Sequence, residues 1–176
     1  PEIWLLGSSD YSARLAAQLG LPFALADFFG TTSGHGPTVA ALYRQEFQPS
    51  ELCQVPRLNV TVQAICAPTT EEAERVAASR NFNRARRVLG IQGEEIGDGI
   101  LSPEEAAARP LPENVREHVQ AYVDGCIDGD PEQVKAGILA AAERYETKDV
   151  GIVSITYALA DRIRSYELVA QACGLL

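Results

Sequence analysis

Leu58-Asn59-Val60-Thr61-Val62-Gln63-Ala64-Ile65-Cys66 sets Val60, Val62, Ala64 and Cys66 in alternation with Asn59, Thr61 and Gln63. A period of two held over that length predicts a strand. The pattern then changes. Thr70-Glu71-Glu72-Ala73-Glu74 opens a helix with acids in its first turn, where they complement the macrodipole. Ala73, Val76 and Ala77 supply its apolar stripe. A strand followed at once by a helix is one β/α unit, and the flanking sequence repeats it.

Toward the amino terminus, Ile3-Trp4-Leu5-Leu6 is a short apolar run closed by Gly7-Ser8-Ser9, as a buried parallel strand would be. A helix over Tyr11 to Leu19 follows, with Gly20 as its stop. Phe23 to Asp27 reads as the next strand, residues 30–37 as a glycine-rich loop, and Val39, Leu42, Tyr43 and Phe47 as a helix face ended by Pro49. Toward the carboxyl terminus, residues 90–114 are poor in core-forming side chains and read as a long excursion with one helical turn at Pro103-Glu104-Glu105. A helix from Val115 to Val123 comes next. Asp130-Pro131-Glu132-Gln133 carries the marks of a helix start, with Gln133 placed for a capping box and Val134, Ile138, Ala141, Ala142 and Tyr145 as the buried stripe. Val150 to Tyr157 predicts the last strand. Ile163, Tyr166, Ala170 and Cys173 mark the last helix.

Four strands, each followed by a helix, predict an α/β fold of parallel β/α units in a single domain over 1–176. Four units form either an open sheet or half of a (β/α)8 barrel, which takes about 250 residues. The lack of any methionine, even at position 1, and a strand already begun at the first residues lead us to expect a piece of a longer protein.

Charge and composition remove several functions. Lys and Arg total 15 against 24 Asp and Glu, so a net charge of −9 repels a polyanion such as nucleic acid. The cluster Arg80, Arg84, Arg86 and Arg87 reads as a solvated helix face. No apolar run reaches the roughly 20 residues of a membrane span, and no signal peptide opens the chain, so a cytoplasmic location is expected. Cys53, Cys66, Cys126 and Cys173 show no CxxC spacing, and with only His35 and His118 beside them they read as small buried thiols rather than metal ligands.

The stretch with chemistry in it is Gly7-Ser8-Ser9-Asp10-Tyr11-Ser12, at a strand-to-helix turn. Unpaired N–H groups and the positive end of the macrodipole suit a phosphate there, and the serine hydroxyls are further donors. Plain capping by Ser9 or Asp10 is the other reading, and the Asp10 carboxylate opposes an anion unless it turns away.

The run from Pro1 to Phe29 resembles the luciferase-like flavin-dependent monooxygenases of the bacterial alkanal-monooxygenase type, with their Gly-Ser-Ser turn, Ala-Ala-x-Leu-Gly helix and Leu-Pro-Phe strand. The segments 41–50, 59–77, 129–138 and 155–175 are similar to later parts of the same family, in order. The resemblance implies the carboxyl-terminal half of a (β/α)8 TIM barrel that uses reduced FMN, supplied by a flavin reductase, and O2 to oxygenate an organic substrate such as an aldehyde. It implies flavin-phosphate contacts at Gly7, Ser8, Ser9, Tyr11 and Ser12, and a flavin or substrate mouth near Asp27, Phe28 and Phe29. The half that supplies most flavin-ring contacts is absent, so no catalytic residue is assigned. Ala158-Leu159-Ala160 stands where polar residues are common in the family.

A half-barrel leaves sheet edges and an apolar face uncovered, so pairing with a second copy or with a separate amino-terminal half is expected. A non-catalytic relative acting as a flavin-binding or structural dimer is the alternative. Asp27 reads as a flavin contact or a loop cap, and His35 as a general acid/base or an exposed loop residue. His118 reads as surface, Trp4 as core rather than stacking platform, and Arg162 and Arg164 as surface ion-pairing or a phosphate or partner contact.

Overall fold

The computed structural model describes residues 1–29, 34–90 and 99–176. Its elements run β1 (Leu5–Gly7), α1 (Asp10–Gln18), β2 (Phe23–Ala26), α2 (Gly36–Glu46), β3 (Leu58–Cys66), α3 (Thr70–Leu89), α4 (Pro103–Ala107), α5 (Glu113–Val123), β4 (Ile127–Gly129), α6 (Pro131–Arg144), β5 (Asp149–Val153) and α7 (Leu159–Ala172). Every described strand pairing is parallel, as the alternation of strand and helix requires. The chain divides into two compact units: Pro1–Gln63 with Ile138–Val153, and Ala64–Gly137 with Ser154–Leu176.

In the first unit β1 pairs with β2, β2 with β3, and β3 with β5. Period two sorts the side chains. Phe23 and Leu25 of β2, and Val60 and Val62 of β3, are buried together with Ala13, Ala16 and Ala17 of α1 and Val39, Ala40 and Tyr43 of α2. Burying each large apolar side chain stabilises by about 1.5–3 kcal/mol, so this face dominates the unit's stability. Tyr43 packs its ring 5.4 Å from Phe23, donates its hydroxyl to the Leu21 carbonyl (2.9 Å) and accepts the Arg57 N–H (3.1 Å). Burial pushes its hydroxyl pKa up to about 12. On the opposite side of the sheet Leu6 is 65% exposed, while Asn59 and Thr61 are half-buried and linked, the Thr61 hydroxyl donating to Asn59 (2.9 Å) and the Asn59 amide to Asp149 (2.8 Å).

In the second unit Ala64–Cys66 pairs with β4. This three-residue strand carries no alternation to read, and the sequence did not predict it. Its central Asp128 accepts the Ile65 N–H (3.1 Å) and takes the Arg80 guanidinium in a two-pronged ion pair. Arg80 is 2% exposed and lies over the Tyr122 ring (5.6 Å), which Arg84 also covers (5.1 Å). The expectation of a solvated arginine face is therefore corrected at Arg80: a partner from a distant strand makes its burial tolerable. Burial pulls the Arg80 pKa down, but the Asp128 hydrogen bonds and charge outweigh it, and the net direction is up.

Helix ends follow the local signals. Thr69 caps α3, Gly90 (φ 65°) ends it, and Ser102 with Glu105 closes a capping box at α4. Asp130 and Gln133 cap α6 reciprocally. The excursion expected over 90–114 holds α4 and the start of α5, and residues 91–98 lie outside the described residues. The last strand stops at Val153 rather than Tyr157. The Ser154 N–H turns to the Tyr166 hydroxyl (3.2 Å) and its own hydroxyl donates to the Ala64 carbonyl (2.6 Å), which takes it off the ladder. On α7 the buried residues are Ser165, Leu168 and Val169, whereas the predicted markers Ile163 and Tyr166 are 50% and 41% exposed.

Candidate functional site

The Gly7-Ser8-Ser9 turn carries the chain from β1 into α1. Ser9 is the N-cap, with extended backbone, and its hydroxyl accepts the Ser12 N–H (3.4 Å). The Ser12 hydroxyl accepts the Ser9 N–H (3.1 Å) and donates to the Ser9 carbonyl (2.7 Å), completing a capping box. A serine at the third helical position thus does what a glutamate or glutamine usually does. Gly7 makes this possible, because a Cβ there would stand 2.2 Å from both Cβ and Oγ of Ser12. The turn folds directly onto the first helical turn.

The capping box uses two N–H groups and both hydroxyls. The N–H groups of Asp10 and Tyr11, at the first two helical positions, have no intrahelical acceptor and point out of the helix end. Ser8 is half-buried beside them, and Tyr11 is 75% exposed. These donors fit a phosphate. Of the five residues expected to contact one, the Ser8 hydroxyl and the Tyr11 N–H make no bond to another described residue and can do so, whereas Ser9, Ser12 and Gly7 shape the turn.

The Asp10 carboxylate is engaged. It lies 2.7 Å from Nε2 of His35, the N-cap residue of α2. The His35 side chain does not cap its own helix, and its ring crosses to α1 instead. The sequence alone leaves His35 between a general acid/base and an exposed loop residue, and sets the Asp10 carboxylate against an anion. Their 25-residue separation, with Gly30 to Ser33 between them outside the described residues, left no local pattern that would join them.

Asp27 follows Phe23 and Leu25 on the buried face of β2. Its backbone N–H continues the ladder to the Thr61 carbonyl (2.9 Å), and its side chain accepts a hydrogen bond from the Tyr145 hydroxyl. Tyr145 is 1% exposed; burial first, and then this bond, push its pKa up. The hydroxyl also sits against Gly36, where a Cβ would come within 2.2 Å of it. Asp27 therefore joins β2, α2 and the end of α6, in the way of a loop anchor. Phe28 is half-buried and packs against Phe29 with ring centroids 4.5 Å apart and the planes tilted by 46°; Phe29 is 48% exposed.

The remaining candidates are scattered. His118 is exposed on α5. Arg162 is exposed, and Arg164 pairs with Glu167 at 3.4 Å on the surface. Trp4 is half-buried and carries the Arg57 guanidinium 4.9 Å above its ring, so it stacks on the chain's own arginine. None of the four cysteines is in a disulfide. Burial pushes the thiols of Cys66 and Cys126 up to about 11, which makes them poor nucleophiles. No metal-binding cluster occurs among the described residues, and no described helix is long and apolar enough to cross a membrane.

No protein-family model matches the chain. Full-length proteins do. It is 35% identical over 172 residues to the uncharacterized protein YwcH of Bacillus subtilis, covering 98% of this chain and 50% of that protein. It is 31% identical over 173 residues to a luciferase-like monooxygenase of Escherichia coli K12, covering 94% of this chain and 48% of the relative. Among solved structures, apo-MsnO8 superposes with a TM-score of 0.83 at 30% identity, over 100% of this chain and 52% of that one. The oxygenating constituent of 3,6-diketocamphane monooxygenase, a type II Baeyer-Villiger enzyme in complex with FMN, has a TM-score of 0.61 at 19% identity over 98% of this chain and 48% of that one, a likeness of fold. The chain thus spans about half the length of the relatives it matches.

Proposed function

We propose, from the premise that the chain belongs to the luciferase-like monooxygenase family, that it is the flavin-phosphate-binding portion of an FMN-dependent monooxygenase. The observation that carries this reading is the β1–α1 turn. There a glycine allows the turn to close on the helix, and two first-turn N–H groups remain for an anion. The Asp10 and Tyr11 N–H groups and the Ser8 hydroxyl would hold the phosphate. Phe28 and Phe29 would form an apolar wall beyond it. Bound reduced flavin would supply the activation of O2 for oxygenation of an organic substrate such as an aldehyde, with a separate flavin reductase delivering the reduced cofactor. The chain's own contribution is to bind, orient and exclude water.

Leu6, exposed on the sheet, supports pairing of that face with a second copy or with a separate amino-terminal half. The second reading is a non-catalytic flavin-binding or structural dimer joined through that exposed face. Titration of the purified chain with FMN and with riboflavin, followed by flavin fluorescence, tests the site. Saturable FMN binding, weaker for riboflavin and lost for FMN in Ser8→Glu, is the expected result. Equal affinity for both flavins, or none for either, overturns a phosphate site at this turn. Turnover of an aldehyde with reduced FMN then separates the two readings.

A further inference from the structure

The proposed phosphate turn has an electrostatic problem. A dianionic phosphate would approach a helix end that already bears the Asp10 carboxylate, on a chain of net charge −9. Like charges at this separation oppose binding, and the partial charge of a helix end, roughly half a unit, does not cancel a carboxylate. The nearest arginine on α1, Arg14, is committed to Glu46 on α2. Among the described residues the group that reaches Asp10 with a titratable positive charge is His35, at 2.7 Å.

We propose that His35 is a positioning residue of the flavin-phosphate site, switching the turn between receptive and repellent by neutralising Asp10 when its imidazole is protonated. The inference rests on the flavin reading above. The structure prepares His35 for this. It is the N-cap of α2 yet makes no cap, and its ring spans to α1 while Gly36 behind it is wedged against the Tyr145 hydroxyl. Among the described residues the charged and titratable groups around it are few. Asp10 faces it from α1. Asp27, just after β2, and Tyr145, just after α6, lie behind Gly36 and are bonded to each other. Protonated His35 gives Asp10–His35 no net charge and leaves the Asp10 and Tyr11 N–H groups to the phosphate. Neutral His35 leaves the carboxylate charge uncompensated, and the phosphate is disfavoured.

Only two histidines occur, which makes the test direct. The Cε1–H resonances of His35 and His118 are followed by NMR against pH in the full chain alone, with saturating FMN, and with saturating riboflavin. Linkage requires that FMN raise the His35 midpoint by about half to one pH unit, equivalent to about three- to tenfold tighter FMN binding to the protonated form. Riboflavin, with no phosphate, leaves it in place. His118, exposed on α5, is the internal control. In His35→Gln the FMN dissociation constant keeps only the pH dependence of the phosphate itself, and Asp10→Asn binds FMN with the His35 linkage reduced. Binding of FMN without movement of the His35 midpoint overturns the inference and leaves the flavin reading standing. A midpoint moved equally by both flavins assigns His35 a purely steric role and overturns it too. Failure of the chain to bind FMN at any pH overturns the flavin reading and this inference with it.

Discussion

The Asp27–Tyr145 contact supports a quantitative double-substitution experiment. Tyr145 is 1% and Asp27 9% exposed, so Tyr145→Phe removes a hydrogen bond to a buried carboxylate without opening a cavity. Such bonds contribute about 1.5–3 kcal/mol. Gly36→Ala attacks the same place from α2, because the added methyl would stand 2.2 Å from the Tyr145 hydroxyl oxygen and 3.0 Å from two ring carbons. The ring is immobilised by burial, so overpacking costs about 1–3 kcal/mol. The two losses do not add. Removing the hydroxyl also removes the worst collision, so Gly36→Ala in the Tyr145→Phe background costs less, and the double variant is more stable than the sum by about 1 kcal/mol. The assay is urea unfolding followed by circular dichroism. With a slope of about 2 kcal/mol/M, Tyr145→Phe lowers the midpoint by about 1 M. Strict additivity, or a Tyr145→Phe loss within about 0.5 kcal/mol of zero, would refute the packing described around Gly36 and the anchoring role of Asp27.

Three further outcomes are expected. Arg80→Met leaves Asp128 with the Ile65 N–H but without its buried countercharge, and should destabilise by about 3–5 kcal/mol in the same assay; the double variant Arg80→Met/Asp128→Leu recovers only part, because the Ile65 N–H loses its acceptor. Tyr43 and Tyr122 have pKa values raised by burial from 10 to about 12. A raised folded pKa contributes stability that is complete below pH 10 and lost as the pH climbs to 12, so absorbance at the tyrosinate wavelength should show these two ionising together with unfolding, not before it. Gly7→Ala drives a Cβ to 2.2 Å from Ser12 and should open the β1–α1 turn, lowering thermal stability and FMN affinity together; unchanged melting would show that the turn is looser than described.

Much of this molecule was legible from local pattern. The alternation from Leu58 to Cys66 gave a strand with the same limits, and helices do open at Thr70-Glu71-Glu72, Pro103-Glu104-Glu105 and behind the Asp130 cap. These signals work at short range, where backbone donors and side-chain acceptors are a few residues apart. The Gly-Ser-Ser turn was legible as a site, but the division of labour within it was not. Ser9 and Ser12 spend their hydroxyls on each other, and sequence could not say whether Asp10 faces an anion or something else.

What sequence determined by itself was the succession of β/α units, because periodicity and caps are properties of neighbours along the chain. Tertiary structure alone decided which polar groups are spent. Asp27 became an anchor by meeting Tyr145, 118 positions away; Arg80 left the surface by meeting Asp128; and Asp10 gained a hydrogen-bond partner by meeting His35. Each is a long-range encounter, and the reason is the same in all three. A charged or polar side chain takes its role from its partner, and no local pattern names a partner that only folding brings near.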